Sequence, residues 1–142
     1  MTMPPSPPSP AVPPTKPRIL VIDDEMPNLQ TFRRVFRNDY QVTLAASVDE
    51  AVAIVKQQPI DLALVDYSMP GKNGIHFLRA AKTLQPSMLC LMLTAHGDLD
   101  EVQQALDDDL MLGVITKPWN KDTILRWVEK TLNLPSTVPP AK

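Results

Sequence analysis

Residues 60–84 read IDLALVDYSMPGKNGIHFLRAAKTL, and the fold turns on this stretch. Its first six residues are an apolar run broken only by Asp61, which has the length and composition of a strand buried on both faces. After a loop through Gly71 and Gly74, the residues Ile75, Leu78, Ala81 and Leu84 recur at helical spacing, and Pro86 marks the boundary after that helix. A buried strand leading through a loop into an amphipathic helix is one strand-helix unit of a parallel sheet.

The same alternation extends in both directions. Upstream, Arg18–Ile22 is a short apolar run. Pro27 follows where the first turn of a helix tolerates a missing N–H, and Leu29, Phe32, Val35 and Phe36 continue at helical spacing. Gln41–Ala45 reads as a second strand, and Ser47 with Glu50 makes a capping-box pattern ahead of Ala51, Val52, Ile54 and Val55. Downstream, residues 88–93 are the most apolar stretch and predict the central strand, with Asp98 and Glu101 placed to cap a fourth helix through Val102, Ala105 and Leu106. Gly113–Thr116 predicts the fifth strand. Asn120 suits the N-cap of a last helix carrying Ile124, Leu125, Val128 and Leu132 on one broad face. Five units with right-handed crossovers give an α/β fold, a doubly wound parallel sheet with helices on both faces, and short strands favour an open sheet over a barrel.

Composition bounds the function. A chain of 142 residues fits one domain, predicted at 18–134, between two tails. Residues 1–17 carry eight of the sixteen prolines and too little apolar surface to offset ordering entropy, so they are expected to form an extended, mobile spacer, with a polyproline ligand as the other reading. Residues 135–142 read as a short C-terminal tail, with no output domain expected after it. A hydrophobic share of 44% and a charged share of 21% are those of an ordinary soluble chain. The net charge of −2 offers no basic footprint for nucleic acid. No apolar run approaches the roughly 18 residues of a membrane span, and the start lacks a signal peptide's basic and apolar regions, so a cytoplasmic location is expected. The single cysteine, Cys90, lies within the apolar run 88–93 and reads as a small buried hydrophobe.

In an open parallel sheet, ligands bind outside the carboxyl ends of the strands. Those ends carry Asp23 and Asp24 (first strand), Asp66 (third), Thr94 (fourth) and Lys117 (fifth). Taken singly, each has an ordinary explanation: an Asp pair caps or turns, Asp66 opens a turn, Thr94 ends a strand, and Lys117 before a proline is solvated. Together they place three carboxylates at one edge, where like charges repel unless a cation or a lysine lies among them. A hard divalent ion meets that need. Magnesium takes about six oxygens and commonly uses one or two carboxylates plus a phosphate oxygen, so the set suggests a magnesium-assisted phosphoryl acceptor.

These motifs, namely Asp23-Asp24, the segment from Asp66 through Tyr67, Ser68, Met69, Pro70, Gly71, Lys72 and Asn73 to Gly74, Thr94-Ala95 and Lys117-Pro118, resemble those of response-regulator receiver domains in order and approximate spacing. The likeness covers about residues 18–133 and implies a flavodoxin-like strand order, 2-1-3-4-5. It implies that Asp66 accepts a phosphoryl group from phosphohistidine on a sensor histidine kinase or a histidine phosphotransfer protein. By the same resemblance Asp24, Asp66 and the backbone carbonyl of Ser68 would ligate magnesium, and Asp23 would act through a bound water. Lys117 would offset charge on the transferring group, and Thr94 would donate its hydroxyl to the phosphoryl group and draw in the loop after strand four. The downstream partner would bind the surface of helix four, strand five and helix five.

One position departs from the family pattern. Many receivers carry Tyr or Phe three residues before the strand-five lysine, and here that position is Val114, so weakened or rerouted coupling is expected. Trp119 and Trp127 lie near that surface, but Trp127 at helical spacing reads as a packing residue. His96, two residues after Thr94, reads either as an exposed loop residue or as one that influences water access. His76 is remote from any metal-like cluster. Asp98, Asp100, Glu101, Asp107, Asp108 and Asp109 collect around helix four, and Lys121, Arg126 and Lys130 on helix five. These read mainly as solvated faces, with a weak homodimer through opposite charges as a further partner.

Three functions can be set on such a fold. The first is a phosphorylation-controlled signalling module that turns over no separate substrate. The second is a constitutive interaction module with the same fold, which the loss of the aromatic at Val114 keeps open. The third is a phosphatase of the haloacid-dehalogenase type, which would place a second Asp where this chain has Ser68. No Gly-x-x-x-x-Gly-Lys-Ser/Thr loop supports nucleotide binding.

Overall fold

The computed structural model describes residues 16–69, 71, 73–95 and 99–133. The expectations for most of the proline-rich tail, for Pro70, Lys72, His96 and Asp98, and for the C-terminal tail lie outside the described residues. Ten elements alternate along the chain: β1 (Arg18–Ile22), α1 (Met26–Phe36), β2 (Gln41–Ala45), α2 (Val48–Gln57), β3 (Leu62–Asp66), α3 (Gly74–Leu84), β4 (Leu89–Thr94), α4 (Asp100–Asp107), β5 (Gly113–Thr116) and α5 (Lys121–Thr131).

The five strands form one parallel sheet in the order β2-β1-β3-β4-β5, as the family likeness implies. The middle strand is β3, not the more apolar β4. Apolarity reports burial on two faces, which β3 and β4 share, and does not rank strands by position. Side chains alternate across the pleat. Leu20, Ile22, Ala63, Val65, Cys90 and Met92 enter one core, which includes apolar residues of α2, α3 and α4. Ile19, Val21, Leu62, Leu64, Leu91 and Leu93 enter the other, with Leu29, Phe32 and Phe36 of α1 and Ile124 and Val128 of α5. Buried Cys90 belongs to the first core, and its burial pushes the thiol up to about 12.

Local chemistry sets the helix starts. Pro27 lies in the first turn of α1, and Ser47 Oγ accepts the Glu50 N–H at α2. The Glu50 carboxylate reaches back to the N–H of Ala46, one residue before the cap. Asn120 caps α5 by accepting from the Thr123 N–H at 2.8 Å. At α3 the cap is Asn73, with His76 Nδ1 accepting the Asn73 N–H in a reciprocal box that sequence reading misses because the third position is usually Glu or Gln. Helix α4 departs from expectation. Its N-cap is Leu99, without a side-chain cap, and Glu101 is turned to other partners.

Its acidic face is not simply solvated. Arg79 of α3 lies 4.0 Å from Asp108, and Lys82 Nζ donates to the Asp109 carbonyl at 3.1 Å. Trp127 packs over Gly113, where an added Cβ would stand 2.5 Å from Cζ3 of the ring. Trp119 lies on Phe32 with ring centroids 4.7 Å apart. Both tryptophans thus serve packing against the second core.

Candidate functional site: an acidic cleft at the strand ends

Strand order reverses beside β1, which has β2 on one side and β3 on the other, and the carboxyl ends of β1 and β3 open at that switch point. Asp23 and Asp24 follow β1 directly, and Asp66 is the last residue of β3. The three carboxylates each offer an oxygen within 4.8 Å of the others. Asp23 and Asp66 are buried at 1% and 3% exposure while Asp24 is exposed, so two carboxylates are held in place and one faces solvent. Backbone bonds fix the frame. The Asp23 N–H donates to the Ala45 carbonyl at 3.0 Å, and the Tyr67 N–H to the Leu93 carbonyl at 2.9 Å.

Lys117 reaches this group from the end of β5. Its backbone N–H donates to the Thr94 carbonyl at 2.9 Å, and its Nζ lies 2.8 Å from Asp66 Oδ1. The Lys117–Pro118 peptide bond is cis. Burial raises the Asp66 pKa, and the Lys117 hydrogen bond opposes that rise. The Asp23 charge raises it further, while the Lys117 charge and a Ser68 backbone hydrogen bond lower it. Thr94, the last residue of β4, is buried at 3% exposure, one residue beyond the Leu93 that pairs with Asp66.

All five strand-end residues named from the sequence therefore converge at one end of the sheet. Asp24, Asp66, Ser68 and Lys117 line a cleft of about 570 Å³, together with Glu25, Asn28 and Met69. Glu25 and Asn28 carry no signal in the sequence, where one is the residue just before a helix and the other lies in its first turn. A groove of equal volume between α2 and α3 is lined by Val48, Val52, Lys56 and His76 among others, so chemistry and not size distinguishes the acidic cleft.

An all-oxygen set of carboxylates, with a backbone carbonyl at hand on the exposed loop residue Ser68, fits a hard divalent cation and suits no soft metal. The half-buried Val114 packs against the first core, and no aromatic ring stands at that position. Among the described residues, no helix is long and apolar enough to cross a membrane.

Comparison with known proteins agrees with this geometry. The sequence model of the response regulator receiver domain matches residues 19–129. Sporulation initiation phosphotransferase F of Bacillus subtilis is 33% identical over 123 residues, covering 84% of this chain and 96% of its own length. The hydrogenase transcriptional regulatory protein HoxA of Bradyrhizobium diazoefficiens is 27% identical over 116 residues, covering 82% of this chain but 24% of the regulator. This chain thus spans about a quarter of the length of the curated regulators it first matches. Among solved structures, a CheY-like receiver domain protein of Methanospirillum hungatei superposes with a TM-score of 0.79 at 28% identity, covering 84% of this chain and 95% of that one. The chemotaxis protein CheY4 of Vibrio cholerae superposes with a TM-score of 0.76 at 25% identity, covering 82% and 99%. The chain belongs to the response regulator receiver domain family of two-component signalling.

Proposed function

We propose that this protein is a phosphorylation-dependent switch in which Asp66 accepts a phosphoryl group from a histidine kinase or a histidine phosphotransfer protein, with magnesium bound at the acidic cleft. The observation that carries this reading is the 2.8 Å contact between Lys117 Nζ and Asp66 Oδ1 within a group of three carboxylates at the switch point. An Asp66 carboxylate oxygen attacks phosphorus, the P–N bond to the donor imidazole breaks, and an aspartyl phosphate forms. The Lys117 ammonium carries three donors on a flexible stem and can follow charge from the carboxylate to the phosphoryl oxygens. Asp24, Asp66 and the Ser68 carbonyl would hold the ion, with Asp23 acting through water; bound there, magnesium would neutralise charge on the transferring group. Thr94 would donate its hydroxyl to the phosphoryl group.

The reading places the protein in the cytoplasm, as one receiver domain over 18–134 without turnover of a separate substrate. The output is a change in protein binding at α4, β5 and α5, and a weak homodimer through that surface is compatible with it. The alternative, a phosphorylation-independent interaction module, draws on Val114 standing where the usual ring would be.

Intact-protein mass after incubation with acetyl phosphate and magnesium tests the switch. One phosphoryl increment is expected, lost in Asp66→Ala and in EDTA. A folded protein that gains no increment from acetyl phosphate or from any candidate kinase would favour the alternative.

A further inference from the structure

The buried carboxylate Asp23 has both oxygens engaged before any cation is considered. Its Oδ1 accepts the Glu25 backbone N–H at 2.9 Å, and its Oδ2 accepts Nδ2 of Asn28 at 3.0 Å. The same Asn28 Nδ2 lies 3.3 Å from Glu25 Oε1. The Asn28 amide therefore presents its NH₂ group to two carboxylates. Turning the amide over would aim its oxygen at both, so the orientation is set by its surroundings. Asn28 stands in the first turn of α1 and lines the acidic cleft together with Asp24, Asp66 and Ser68.

We propose that Asn28 is a positioning residue of the phosphoacceptor site: its amide fixes the Asp23 carboxylate, and so sets the affinity of the cleft for a divalent cation. The inference rests on the magnesium-dependent reading above. A carboxylate offers about four acceptor directions, and two donors leave about one per oxygen for waters of a bound ion. Held at both oxygens, Asp23 cannot rotate to meet another donor. The ion's water shell then meets acceptors already in place, and the cost of ordering them falls on folding and not on binding. Partners of this kind behind a metal site typically change affinity by about 10- to 100-fold when removed. The link also ties the start of α1 to the cleft, so that one amide joins the helix to the β1 carboxylates.

The test is calorimetric titration of magnesium into the full chain, comparing wild type with Asn28→Leu, which keeps the side-chain size but has no donor, and with Asn28→Ala, which avoids any clash of the branched leucine. Asp24→Ala serves as the control for the site itself. The expected result is magnesium binding about 10-fold weaker or more in both Asn28 variants, with thermal midpoints in EDTA within a few degrees of wild type. In acetyl phosphate reactions the magnesium concentration for half-maximal rate should rise by a similar factor, with the rate at saturating magnesium within about threefold of wild type. Asn28→Gln, which restores an amide donor, should recover part of the affinity. Affinity within twofold of wild type in Asn28→Leu and Asn28→Ala, while Asp24→Ala loses binding, would overturn this inference and leave the reading of the site standing. Absence of magnesium binding by the wild type would overturn both.

Discussion

The hydroxyl of Tyr67 donates a hydrogen bond to Oε1 of Glu101, tying the residue that follows Asp66 to the first turn of α4. Asn73, the cap of α3, reaches the same oxygen at 3.4 Å. Tyr67 also packs against the first core, where Val102, Ala105 and Val114 meet. The bond raises the pKa of the Tyr67 hydroxyl above its ordinary value, since it favours the protonated, donating form. With Val114 on β5, Tyr67 is an aromatic residue that touches both the end of β3 and α4.

Tyr67→Phe removes this bond and little else. Backbone amides in the first two turns of α4 are expected to exchange with deuterium about tenfold faster, the effect of losing one charge-assisted hydrogen bond. Hydrogen exchange by mass spectrometry reads this directly, and unchanged protection across α4 would show that its packing alone holds it.

Gly74 begins α3, and its N–H donates to the carbonyl of Tyr67, the residue after Asp66, at 3.1 Å. A Cβ there would stand 2.7 Å from the Asp66 backbone carbonyl and 2.9 Å from a Val65 methyl group, and backbone gives way less readily than a side-chain end. Gly74→Ala is expected to cost about 1–3 kcal/mol by overpacking and to slow phosphorylation by acetyl phosphate by displacing Asp66. Chemical denaturation and the mass assay measure the two effects separately.

Three clustered carboxylates repel one another in the metal-free protein, so a cation that binds only the folded chain should stabilise it. Raising magnesium to about 100 times its dissociation constant is expected to add roughly 2.7 kcal/mol, read as a higher unfolding midpoint. Asp24→Ala should abolish that gain. A midpoint in wild type that ignores magnesium would argue against the ion-binding role of the cleft.

At alkaline pH the second core carries a distinct liability. Burial foremost, then the Glu129 and Asp39 charges, push the Tyr40 hydroxyl from 10 up to about 12. A pKa raised on folding gives stability that is full below the unfolded value of 10 and is lost as pH rises through the folded value of about 12. The shift corresponds to roughly 3 kcal/mol at most. Tyr40→Phe has no hydroxyl to ionise, so its stability should fall less steeply than that of wild type between pH 10 and 12. Denaturant midpoints across that range make the comparison, and parallel losses in the two proteins would assign alkaline unfolding to other groups, buried Cys90 among them.

Much of the fold was legible because it rests on local period. Runs such as 60–65 and Leu29, Phe32 and Phe36 fix which face each element buries, and chirality then restricts how five strand-helix units assemble. The strand ends at Asp23, Asp24, Asp66, Thr94 and Lys117 could be named for the same reason, since a residue's place in the strand decides where it emerges. Helix α4 was the weak point. Its acidic first turn reads as capping chemistry, yet Glu101 answers to Tyr67, 34 residues away in sequence.

The sequence by itself determined the elements, their burial pattern and the set of polar groups delivered to one edge of the sheet, because these follow from periodicity and chain order. Only the tertiary structure decided which groups meet across that edge: Lys117 with Asp66 across 51 residues, Glu101 with Tyr67 and Asn73, and Asn28 turned back onto Asp23. Those pairings depend on helix position and side-chain direction over a shared sheet, and a hydrogen bond exists only within a few tenths of an ångström of its proper distance, a precision that no one-dimensional pattern encodes.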